Sequence, residues 1–213
     1  GMCVSFAPEC MGRGRRRPRH FPLSYDQGMG GTGVHRRIAD IGQRGLKPAG
    51  CIVGEPTGMQ LVVAHKGKMS WRCRVRGHEA HSSLTPKGVN AVQIACEIVA
   101  FIAKRAREFR DSGRKDTTYD VPFTTVHVGT IKGGTALNIV PRDCQFDFEI
   151  RHLPFDDPHA FFRDVQQFAQ NFVPDMHAVA GDTYVEFDHM STLPFLDTAD
   201  QSELPNNGRG RNH

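Results

Sequence analysis

The chain of 213 residues is long enough to bury a substantial core, as one large domain or two small ones, and 38% of it is apolar. Its formal net charge of +4 resides in one arginine run, Arg13, Arg15, Arg16, Arg17 and Arg19, so the remainder is near neutral and no protein-wide nucleic-acid surface is implied. No stretch approaches the roughly 18 consecutive apolar residues of a membrane helix, and the six cysteines, widely spaced and without a C-x-x-C pair, read as reduced thiols of a cytoplasmic protein.

Residues 1–20 are rich in Gly, Arg and Pro without helical or strand period, which predicts a disordered basic tail. From Phe21 the pattern sharpens. Phe21, Leu23 and Tyr25 alternate as a short strand, Gly28 to Gly33 form a glycine-rich turn, and Val34 to Leu46 read as a helix. Cys51-Ile52-Val53 is a short apolar run, expected as a buried strand that delivers Gly54-Glu55-Pro56-Thr57 at its tip. Gly28-x-Gly30-x-x-Gly33 matches the dinucleotide-binding fingerprint, with Glu55 near the place of a ribose-binding acid. Pro22 in the preceding strand, Pro56 directly after the acid, and the lack of further alternating strands and crossover helices argue against a dinucleotide site.

Beyond Leu61 the pattern becomes that of an antiparallel sheet. Leu61 to His65 and then Met69, Trp71, Cys73 and Val75 predict a hairpin turning at Lys66-Gly67. The second strand alternates its apolar residues with Lys68, Ser70, Arg72, Arg74 and Arg76, as a sheet with one wet face requires. Gly77 to Asn90 then form a polar loop. It carries His78, His81, Ser82 and Ser83, a set that suits a catalytic cluster, a metal site or merely a solvated turn. Thr85 as cap and Pro86 in the first turn predict a helix with Val92, Ala95, Val99, Ile102, Ala106 and Phe109 on its apolar side.

Two further strands are expected around Thr124 to Ile131 and Cys144 to Arg151, then a helix from Pro158 to Phe172 and a last strand near Thr183 to Phe187. Strand, helix, strand, strand, helix, strand is the split βαβ (ferredoxin-like) arrangement, so the fold class is α+β, with a four-stranded antiparallel sheet and both helices on one face. The same topology together with the arginine run invites an RNA-binding reading. The strand of Phe146 and Phe148 lacks the Lys/Arg-Gly-Phe-Gly-Phe signature, however, and those aromatics are expected to face the helices.

Gly54-Glu55-Pro56-Thr57, Gly77-x-x-x-His81-Ser82-Ser83, Gly88-Val89-Asn90-Ala91 and Asn138-Ile139-Val140-Pro141 ahead of the Arg151 strand together resemble the acetylornithine deacetylase group. That group belongs to the zinc-dependent deacylases and aminopeptidases that include succinyl-diaminopimelate desuccinylase. The resemblance covers about residues 21 to 195 and implies a two-zinc α/β catalytic domain interrupted by a split βαβ dimerisation domain. On it, residues 21–60 are expected as a remnant of the catalytic domain, 61–190 as the dimerisation domain and 191–213 as a disordered or irregular tail.

The resemblance also implies roles. Glu55 resembles a metal-ligand carboxylate, and His81 the histidine that stabilises the oxyanion of the tetrahedral intermediate in a partner subunit's active site. Asn138 and Arg151 resemble residues that bind the substrate carboxylate of an N-acyl amino acid, Arg with a bidentate fork and Asn with an amide donor. The expected partners are a second copy of the chain and that small molecule. No His-x-Asp occurs, and Ser24-Tyr25-Asp26-Gln27-Gly28 stands where the family carries Asp-Glu-Glu, so Glu55 alone of the zinc ligands is assigned. A single carboxylate does not hold zinc against water. The chain is therefore expected to be a truncated or degenerate member, inactive alone, with a non-catalytic homodimerisation module as the alternative.

Overall fold

In the computed structural model the described residues are 2–3, 39–45, 53–54 and 64–197. They fall in two units, one formed by Gly1–Val63 with Ala199–His213 and one by Ala64–Thr198. In the first, Met2–Cys3 pairs antiparallel with Val53–Gly54. Within the helix expected over Val34 to Leu46, residues 39–43 are helical, and Gly45 closes the segment at φ 64°, a left-handed angle that favours glycine. The strand expected at Phe21 to Tyr25, the glycine-rich turn, Glu55 and the tail from Gln201 lie outside the described residues.

The second unit is built in the order β1 (Ala64–His65), β2 (Gly67–Arg76), β3 (Ala80–His81), a 3₁₀ helix (Ser82–Lys87), α1 (Ala91–Asp111), β4 (Thr125–Gly133), β5 (Ile139–Val140), β6 (Asp143–His152), α2 (Pro158–Gln170), α3 (Val173–Val179), β7 (Tyr184–Leu193) and β8 (Leu196–Asp197). Four long strands form one antiparallel sheet in the order β4-β6-β2-β7. This is the expected α+β architecture. Met69, Trp71, Cys73 and Val75 of β2, with Cys144, Phe146, Phe148 and Ile150 of β6, are all buried. They meet Ala95, Ile98 and Ile102 of α1 and Phe161, Val165 and Ala169 of α2 in one hydrophobic core.

Trp71 is its centre, 2% exposed, stacked on Phe162 at 4.5 Å and on Phe148 at 5.4 Å. Burying each such large side chain contributes about 1.5–3 kcal/mol. The opposite face is an ion-pair lattice: Lys68 with Glu149, Arg72 with Asp147, Arg74 with Asp188, and Arg151 with Glu149. Phe146 and Phe148 thus face the helices, and the exposed face has its arginines neutralised by neighbouring carboxylates, the reverse of an aromatic, basic RNA platform.

Several local expectations are corrected. The hairpin at Lys66-Gly67 does not form: β1 pairs with β8 through Leu196↔His65, because one intervening residue cannot reverse the chain. Thr85 and Pro86 lie inside the 3₁₀ helix, not at the start of α1, whose cap is Asn90 accepting from the Gln93 amide at 3.0 Å. Between them Gly88 is extended, at φ −113° and ψ 168°, and Val89 exchanges backbone hydrogen bonds with His78, so the helix cannot run through. Strand β7 continues to Leu193, well past Phe187. A register shift opposite Ser70/Trp71 disturbs the alternation that marks its first half.

Candidate functional site

The loop Gly77 to Asn90 is pinned at both ends. The Gly77 amide donates to the Arg142 carbonyl at 2.6 Å, and the His78–Val89 pair closes the loop upon itself. Only glycine fits at 77, since a Cβ there would stand 2.0 Å from the Val89 carbonyl oxygen. From this base β3 extends to pair with β5, with Ala80 opposite Val140 and His81 opposite Ile139. The Ser82 amide then donates to the Asn138 carbonyl at 3.0 Å. Two predicted site residues far apart in sequence, His81 and Asn138, are thereby held side by side at one end of the unit.

His81 is exposed, its backbone extended at φ −66° and ψ 144°, and it caps the 3₁₀ helix with its own ring. The Ser83 amide donates to Nδ1 at 3.2 Å, and the Ser83 hydroxyl reaches the same nitrogen at 2.8 Å. A backbone N–H can only donate, so Nδ1 is the acceptor and the neutral ring carries its proton on Nε2. His81 therefore presents one N–H donor outward. His78 is exposed and, among the described residues, joins the site through its backbone.

Arg151 is placed elsewhere. It lies one residue from the far end of β6, paired with Thr125 and Lys68, whereas β5 and His81 adjoin the Asp143 end. Eight residues of strand separate Arg151 from Asp143, roughly 25 Å at the rise of a β-strand. One copy of the chain cannot bring Arg151 onto a small ligand held by its own His81 and Asn138. At its own end Arg151 is exposed and donates from Nε to Glu149 at 2.9 Å, and among the described residues the terminal nitrogens of the guanidinium make no ion pair. Burial opposes the charge on Glu149, but hydrogen bonds from Arg151 and Lys68 outweigh it and hold its carboxyl below the usual range. Sequence reasoning missed Glu149 as the group that orients Arg151. The signal was the i,i+2 spacing, which sets both on one face of a strand.

Glu55, the expected metal ligand, lies outside the described residues. Among the described residues no three His, Cys, Asp or Glu side chains converge as a zinc site requires, so these residues do not fit the metal. Cys73 and Cys144 are buried free thiols; burial pushes the Cys73 thiol up, and that of Cys144 to about 11, which makes both unreactive. Cys96 is exposed. Among the described residues no helix is long and apolar enough to cross a membrane.

Residues 63–177 match the family described as a peptidase dimerisation domain. Acetylornithine deacetylase of Buchnera aphidicola subsp. Acyrthosiphon pisum (strain Tuc7) is 34% identical over 109 residues, which are 51% of this chain and 28% of that protein. The Klebsiella pneumoniae (strain 342) acetylornithine deacetylase is 36% identical over the same shares. The match thus spans little more than a quarter of the length of these curated relatives. Among solved structures, the aminopeptidase PepT of Bacillus cereus ATCC 10987 superposes with a TM-score of 0.51 at 23% identity, over 68% of this chain and 34% of that one. A tripeptidase of Staphylococcus aureus does so at 0.50 and 20% identity, over 70% and 35%. These two likenesses establish the fold.

Proposed function

Because the chain belongs to the peptidase dimerisation domain family, we propose that residues 64–198 are the dimerisation domain of an acetylornithine deacetylase-like amidohydrolase, and that they lend His81 and Asn138 to a second subunit. The single observation that carries this reading is the split of the predicted site. His81 and Asn138 share one end of the unit, while Arg151 stands at the other, where β1 and β8 lead the chain in and out. A ligand gripped by all three must lie between two copies.

In that composite site the roles follow from donor chemistry. Arg151, its Nε engaged by Glu149, offers its terminal fork to the carboxylate of an N-acyl amino acid, and the Asn138 amide adds a neutral donor. The outward Nε2–H of the partner copy's histidine at this position donates to the oxygen on which negative charge gathers as the amide carbonyl becomes tetrahedral. Glu55 is proposed as the one zinc ligand in this chain, and residues 21–60 as part of the catalytic domain. A cytoplasmic setting, with Cys73, Cys96 and Cys144 reduced, belongs to the same reading.

With Glu55 the one residue assigned as a zinc ligand, the chain is proposed to be inactive on its own. The test is hydrolysis of N-acetylornithine and related N-acyl amino acids with added zinc or cobalt. No turnover is expected; an enzyme-like rate abolished by a chelator would refute the proposed inactivity. The second reading, a homodimerisation module without catalysis, is favoured by the self-contained core of residues 64–198. The two readings part when an intact deacetylase subunit is co-expressed: the first expects its activity to depend on His81 of this chain in mixed dimers, the second does not.

A further inference from the structure

We infer that Ser83 is a positioning residue for His81, fixing the imidazole as the Nε2–H tautomer and aiming that N–H away from the loop; this rests on the reading of His81 as a donor to a second subunit. Two hydrogen bonds meet at one atom, over a backbone shaped to receive them. The His81 backbone is extended, as a helix cap requires, so its side chain folds back over the first turn of the 3₁₀ helix. The Ser83 amide donates to Nδ1 at 3.2 Å, a long hydrogen bond that favours an unprotonated Nδ1 without fixing it alone. The Ser83 hydroxyl, at 2.8 Å, closes on the same nitrogen from the same residue.

The arrangement follows the usual cap, in which a small polar side chain accepts from the helix amides, but with an unusual acceptor. An imidazole serves as the acceptor instead, and capping thereby dictates which nitrogen keeps the proton. The strand pairing His81↔Ile139 fixes the backbone beneath the ring, so Ser83 has only the ring's rotation and tautomer left to set. Ser82, by contrast, uses its amide on the Asn138 carbonyl and makes no contact with the ring among the hydrogen bonds of the described residues. Of the two adjacent serines, it is therefore the second that governs the donor.

The test is nitrogen-15 NMR of the histidine rings in the full chain, at a pH where they are neutral, with His81 assigned by its loss in His81→Gln. The expected wild-type spectrum has His81 in one tautomer, with Nδ1 unprotonated and Nε2 protonated. Ser83→Ala, which keeps the amide but removes the hydroxyl, is expected to move Nδ1 toward the average of two exchanging tautomers, and Ser83→Thr to restore it. Ring signals of the other histidines serve as the folding control. A wild-type ring protonated at Nδ1, or a Ser83→Ala spectrum identical to wild type, overturns the assignment. The readout needs no turnover, so such a failure is distinct from failure of the donor role itself, which the mixed-dimer hydrolysis assay addresses.

Discussion

At the scale of single residues, close approach and charge pairing set what the loop and sheet tolerate. Gly77 sits so near the Val89 carbonyl that any Cβ forces the His78–Val89 bridge apart. Gly77→Ala is expected to cost about 1–3 kcal/mol, measured by urea unfolding, and to broaden the His81 ring signals; an unchanged midpoint would show that the loop yields freely. Arg72 and Asp147 form a two-point ion pair at 2.7 and 2.9 Å. The hydrogen bond from Arg72 is the main reason the Asp147 carboxyl lies below the usual carboxylate range. The native pKa is the depressed one, so the pair stabilises the fold above roughly pH 4, the unfolded value. That stabilisation is lost as pH falls through the lower native pKa. Asp147→Asn is expected to cost ~0.5–1 kcal/mol near neutral pH, given solvent screening, and nothing in acid below both pKa values. Equal costs at both pH values would contradict the linkage.

At the scale of elements, the sheet and helices were legible because period carries burial. Apolar residues alternating at Met69, Trp71, Cys73 and Val75, and again at Phe146, Phe148 and Ile150, leave only one way to face a core. Trp71→Ala, which removes the ring stacked on Phe148 and on Phe162, is expected to cost ~3–5 kcal/mol in the same unfolding measurement; a loss under about 1 kcal/mol would contradict its central place. What the sequence concealed were contacts without period. Two-residue strands such as β3 and β5 are too short to alternate, so the union of His81 with Asn138 is visible only once the chain has closed over dozens of residues. The pairing of β1 with β8 was hidden for the same reason. The cap of α1 was misread at Thr85 because Pro86 suits a first turn equally well in a 3₁₀ helix. Candidate residues were nameable one by one from the motif resemblance, but their division between two ends of the sheet was not, since register decides which strand end a residue occupies.

At the scale of the whole molecule, that division is the reason to expect a second copy. On the proposed roles of His81, Asn138 and Arg151, two donors at one end and an arginine roughly 25 Å away at the other, by strand rise, serve one small substrate when a second subunit brings the two ends together. Metal binding belongs to this scale as well. With Glu55 as the one proposed ligand, equilibrium dialysis of the chain against micromolar zinc is expected to retain far less than one ion per chain, and one tightly held ion per chain would show that the missing ligands are present. The most direct test of the proposed assembly is sedimentation of the chain at tens of micromolar. A species of twice the chain mass is expected, and a strictly monomeric one would contradict the dimerisation on which the sharing of His81 and Asn138 depends.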